Sequence, residues 1–91
     1  MTSNRPYRST PIFDQDSLPQ ALRARHETKV GVWGRIQVLE GAVNLTYVDP
    51  HSEIVLTPGS PGLVFPQQPH FVTALGPMKM QVDFYDQHPE A

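Results

Sequence analysis

The sequence contains no cysteine, no long apolar run and no concentration of positive charge, and each absence removes a class of protein. Without cysteine there is neither a disulfide framework nor a thiolate metal centre, so the fold must hold by packing alone. The longest uninterrupted apolar run is a few residues, against the roughly 20 that a membrane-spanning helix needs. Residues 1–4 offer neither a basic flank nor an apolar segment for a signal peptide. Seven Lys and Arg against nine Asp and Glu give a formal charge of -2, with no basic stripe dense enough to follow a phosphate backbone. The expectation is a cytoplasmic chain with no nucleic-acid and no membrane partner. Also missing are a glycine-rich phosphate loop, a Gly-x-Ser-x-Gly elbow around Ser60, and paired Cys or His at zinc-finger spacing. No nucleotide cofactor is expected, and no catalytic residue can be named.

What is present is punctuation. Ten prolines and six glycines fall between short apolar runs along the 91 residues. A chain of this length buries only about 60 to 65% of its unfolded surface, which allows one compact domain. We expect a flexible N-terminal arm over residues 1–7, a β-barrel domain over 8–86 and a C-terminal tail over 87–91. In the segment 42–48, Val43, Leu45 and Tyr47 share one parity and Asn44, Thr46 and Val48 the other, the period of a half-buried strand closed by Asp49 and Pro50. Further strands are expected at 34–40, 53–57, 62–65, 70–75 and 78–85, with Gly41 and Ala42 forming a tight turn. This spacing predicts an all-β antiparallel sandwich or barrel. In the segment 17–25, Ser17 as a cap with Ala21, Leu22 and Ala24 offers a short helix. An extended reading separates Leu22, Ala24 and His26 from Arg23, Arg25 and Glu27, and we favour strand. The first dozen residues are polar, and Ile12 and Phe13 are expected to dock first.

Four histidines are the side chains best able to bind a transition metal in a chain without cysteine. His51 in a turn and His88 in the tail read as surface residues. His26, on the apolar parity, and His70, after the Pro66 to Pro69 loop, are the pair a barrel would bring together. A third ligand would be a carboxylate, Asp83 ahead of Glu40, because two imidazoles hold a divalent ion weakly. Strict alternation, however, puts Asp83 with Gln81 and Tyr85, opposite the core set Met80, Val82 and Phe84. Trp33 is a lid over a pocket mouth or, as we favour, a core filler. Arg25 and Arg35 either grip an anion or pair with Glu27 and Glu40. The candidate pocket is therefore His26, His70, Trp33 and Arg35, and the candidate metal set His26, His70 and Asp83. The alternative is that both histidines are hydrogen-bonded structural residues.

The run Arg25, His26, Glu27, Thr28, Lys29, Val30, Gly31, Val32, Trp33, Gly34, followed by Val38, Leu39, Glu40, Gly41, resembles the TehB/YeaR-like domain family, a cupin-like group linked by name to tellurite resistance. The resemblance begins at Arg8, Ser9, Thr10, Pro11 and continues through Pro61 and Gly62 and through Phe65, Pro66 to His70. It ends at Val82, Asp83, Phe84, Tyr85. It implies a small cupin-like double-stranded β-helix (jelly-roll) barrel. Some relatives are fused to a methyltransferase; this chain is expected to have no room for that fold, so methyl transfer is not carried over. Cupins at large hold a metal through a His-x-His pair, a following Glu and a later His. Here His26 and His70 match two positions, while Thr28 and Gly34 occupy the other two, and Pro69 stands where relatives often carry an aromatic. The resemblance thus implies a module for a divalent metal, zinc or iron, or for a small molecule or oxyanion such as tellurite. A cupin-type enzyme activating water or dioxygen and a structural homodimer formed through an edge strand are the rival readings.

Overall fold

The computed structural model describes residues 5–89. Its strands follow the apolar alternation. In β3 (Trp33–Glu40), Gly34, Ile36 and Val38 are buried while Trp33, Arg35 and Gln37 take the other face. β8 (Lys79–Tyr85) buries Met80 and Val82. These two strands pair antiparallel from Trp33 opposite Tyr85 to Val38 opposite Met80, with a register shift before Glu40 meets Lys79. β6 (Gly62–Val64) pairs with the other edge of β3, and both β1 (Arg8–Ser9) and β2 (Phe13–Asp14) pair with β8. The result is a five-stranded sheet. The second sheet has three strands, β4 (Val43–Tyr47) lying between β5 (Ser52–Leu56) and β7 (His70–Ala74). Ile36, Val38, Met80 and Val82 from the first sheet meet Val43, Leu45, Leu56 and Val72 from the second to form the core.

Three features differ from the sequence expectations. The sheets form an open sandwich, not a closed barrel. β6 is confined to three residues between Pro61 and Pro66, and β1 and β2 are two residues each, too short to carry a ladder from one sheet into the other. The sheets are instead tied by side groups, such as the Tyr47 hydroxyl donating to the Leu63 carbonyl at 2.6 Å. Second, the segment read as a strand contains the short helix α1 (Gln20–Arg23). Pro19 presets the backbone at φ -59° and accepts the Leu22 N–H, and Arg23 donates to the carbonyls of Leu18 and Gln15. Ala24 then returns to extended backbone, so His26 still reaches β7. Third, the arm docks already from Tyr7; of the two residues expected to dock first, Phe13 pairs with Met80 and packs against the core, while Ile12 is exposed. Tyr7 N–H donates to Phe84 O, and Thr10 and Val82 exchange two bonds, Thr10 N–H to Val82 O and Val82 N–H to Thr10 Oγ1. The parts of the expected arm and tail at 1–4 and 90–91 lie outside the described residues. Among the described residues no helix is long and apolar enough to cross a membrane.

Candidate functional site

His26 and His70 come together through backbone pairing. They form an antiparallel bridge in which each N–H donates to the other's carbonyl, at 3.0 and 2.9 Å, and their ring centroids stand 4.1 Å apart. Each ring is then oriented by its own chain. His26 Nδ1 lies 3.1 Å from the Ala24 carbonyl and His70 Nδ1 2.7 Å from the Gln68 carbonyl. A carbonyl only accepts, so Nδ1 carries the proton in both rings, and in the neutral form Nε2 is left as a bare acceptor. His70 is 4% exposed, and burial pushes its pKa down to about 4 against the opposing bond to Gln68; the neighbouring His26 adds a smaller push in the same direction. His70 is therefore a neutral imidazole at physiological pH.

Both rings line a cavity of about 290 Å³. Its floor is the buried set Gly34, Ile36, Val64, Val72 and Val82, with the partly buried Leu22, Val32 and Phe84 beside it. Its rim is polar and exposed, formed by Tyr7 and Arg8 of the N-terminal segment and by Glu27 and Lys29. The four positions matched to the cupin ligand pattern, His26, Thr28, Gly34 and His70, all line it. A Cβ built on Gly34 would meet Val64, Val82 and Thr28 only at ordinary contact distance, so the glycine leaves space there. Thr28 turns its hydroxyl to the Val32 carbonyl at 2.7 Å.

The other expected site residues are elsewhere. Alternation along β3 sends Trp33 and Arg35 to the face opposite Gly34 and Ile36, away from the cavity. The Trp33 ring lies 6.2 Å from that of His88, its indole N–H is buried without a hydrogen-bond partner, and Arg35 sits 5.6 Å over the Tyr85 ring. The same alternation along β8 puts Val82 and Phe84 on the cavity and turns Asp83 outward, where it accepts a 2.7 Å bond from the Ser9 hydroxyl. Glu40 pairs with Lys79 at 3.2 Å. Among the described residues no cluster of three or more His, Cys, Asp or Glu could hold a metal ion. A divalent ion at the imidazole pair would have two protein donors, fewer than the three or four of a resident site. The donor set does not fit a permanently bound metal.

The TehB-like domain profile matches residues 8–82. The chain belongs to the TehB-like domain family. The TehB of Haemophilus influenzae (strain 10810), named a probable S-adenosyl-L-methionine-dependent methyltransferase, is 36% identical over 74 residues, which are 76% of this chain and 26% of that protein. This TehB-like domain thus spans about a quarter of the length of the curated relative it matches. A crystal structure of TehB from Haemophilus influenzae superposes with a TM-score of 0.80 at 34% identity, covering 88% of this chain and 30% of that one. A crystal structure of a protein from E. coli (strain K12) superposes with a TM-score of 0.79 at 27% identity and covers 91% of this chain and 90% of that one. In that protein the TehB-like fold accounts for nearly the whole solved chain.

Sequence reasoning missed the rim. Tyr7 ends the expected arm and Arg8 opens the expected barrel domain, and no sequence signal ties either to the cavity mouth, which Arg8 reaches on β1 and Tyr7 just before it. Glu27 and Lys29 read as charged positions of a strand, although their places one residue after His26 and one after Thr28 tied them to the same segment.

Proposed function

We propose that this TehB-like domain is a small-molecule-binding module, a small relative of the cupin double-stranded β-helix that serves oxyanion stress responses such as tellurite resistance. The observation that supports this is the paired, Nδ1-protonated imidazoles on the wall of an apolar cavity, a few fixed polar atoms in a mostly hydrophobic pocket. The ligand rests against Ile36, Val64, Val72 and Val82 and donates a hydrogen bond to Nε2 of His70, with His26 beside it. In the larger TehB protein the same module would hold or present a small molecule. We place the module in the cytoplasm.

A zinc or iron ion is the second reading, favoured by two imidazole rings 4.1 Å apart. With Asp83 turned away, such an ion would be held by His26 and His70 alone and completed by the ligand or solvent, hence weakly. A cupin-type enzyme ranks below binding, because among the described residues the only carboxylate on the cavity is the exposed rim residue Glu27. A homodimer keeps a place through β5, an edge strand that exposes Ile54 and Val55 by about half. Titration of histidine-labelled protein with small phenols, tellurite and zinc, followed by imidazole resonances, tests the module. Binding that moves His26 and His70 supports it, and lack of response to all three refutes it.

A further inference from the structure

We infer that the ligand class is a small hydroxylated monocarboxylic acid with an apolar middle, of which a phenolic acid is the compact, rigid example. This rests on the binding-module reading and adds the polarity of each end. The buried end offers an acceptor. His70 is almost fully buried and keeps its Nδ1 proton on Gln68, so Nε2 calls for a donor such as a hydroxyl, and a carboxylate there would meet a lone pair instead of a proton. The middle is aliphatic and aromatic, formed by Val64, Val72, Val82 and Phe84, where a bare oxyanion would lose its hydration without replacement. The open end carries two cations. Arg8, stacked 5.6 Å over the Phe84 ring, and Lys29 are exposed at the rim and make no ion pair among the described residues, against one rim carboxylate, Glu27. In a chain of net charge -2 this excess of positive charge at a cavity mouth favours an anionic tail. The volume of about 290 Å³ is close to twice the roughly 150 Å³ that admits one benzene, enough for a ring with two small substituents.

The probes are 4-hydroxybenzoate, 4-methylphenol and benzoate, with tellurite as the bare oxyanion, each titrated into the intact chain while the histidine Nε2 resonances are recorded. 4-Hydroxybenzoate is expected to bind at least tenfold tighter than either half-ligand. Lys29→Ala and Arg8→Ala are expected to weaken it about three- to tenfold and leave 4-methylphenol unchanged, which separates lost charge from lost folding. Equal affinity for 4-methylphenol would overturn the anionic tail and leave the cavity reading standing. Benzoate binding as tightly as 4-hydroxybenzoate would overturn the buried hydroxyl. Tellurite as the tightest ligand would overturn the class, and silence from all four at both histidines would overturn the cavity reading itself.

Discussion

Acid should weaken this fold through His70 in a way that a substitution can isolate. The unfolded imidazole titrates near its ordinary 6.5 and the folded one near 4. Between those values the unfolded chain carries the extra proton, so stability falls as pH drops through 6.5 and the loss is complete below 4. Protonating such a group over its whole range would cost the native state about 3 kcal/mol, and incomplete titration at pH 4.5 together with solvent screening reduces this to about 2 kcal/mol. Urea unfolding at pH 7 and pH 4.5 measures it, compared between the native chain and His70→Leu. The leucine forgoes the bond to Gln68 and should lower stability at pH 7 by about 1 kcal/mol. Its further loss on acidification should be smaller than that of the native chain by about 2 kcal/mol, leaving only the contribution of the carboxylates. Asp14 is one of these, held below its usual range by the backbone N–H groups of Ser17 and Asp16, and it is common to both proteins. The same acid sensitivity in both chains would refute a neutral, buried His70.

Other expectations follow from single positions. Thr28→His combined with Gly34→Glu completes a set of four ligands around the cavity and should convert it to a site retaining one zinc or iron ion per chain through gel filtration, read by elemental analysis; a metal-free double variant would show that the four positions do not converge. Gly41 turns β3 into β4 at φ +72°, and a Cβ there would collide with the Pro77 carbonyl; Gly41→Ala should cost more than about 2 kcal/mol in urea unfolding. Trp33 packs on the outer face against His88 and not in the core, so Trp33→Ala should cost about 1 to 2 kcal/mol, below the 3 to 5 of a buried aromatic. A loss at the upper figure would restore it to the core.

The strands and the histidine pairing were legible because they depend on local signals. Alternation in 43–47 and 80–84 fixed which residues face inward; His26 stood on the apolar parity of its segment, and His70 directly followed the Pro66 to Pro69 loop into a strand. The same alternation turned Asp83 outward, against its selection as a ligand. What could not be read were effects that arise only once distant segments meet. Residues 7–10 are polar and carry no apolar anchor, yet their backbone groups complete the edge of β8. The apolar parity of Leu22, Ala24 and His26 suits one helical turn followed by an extended step as well as a strand, and Pro19 with the Arg23 hydrogen bonds decides between them. Trp33 is large enough to read as core, but its position one residue from Gly34 commits it to the outer face.

Long-range proton–nitrogen spectra of the histidine rings test the central claim most directly. At pH 7 the account predicts that His70 carries its proton on Nδ1 with Nε2 bare, that the Nδ1 of His26 is likewise protonated toward the Ala24 carbonyl, and that both Nε2 signals move when 4-methylphenol enters the cavity. An Nε2-protonated tautomer, or rings indifferent to every added ligand, would contradict it.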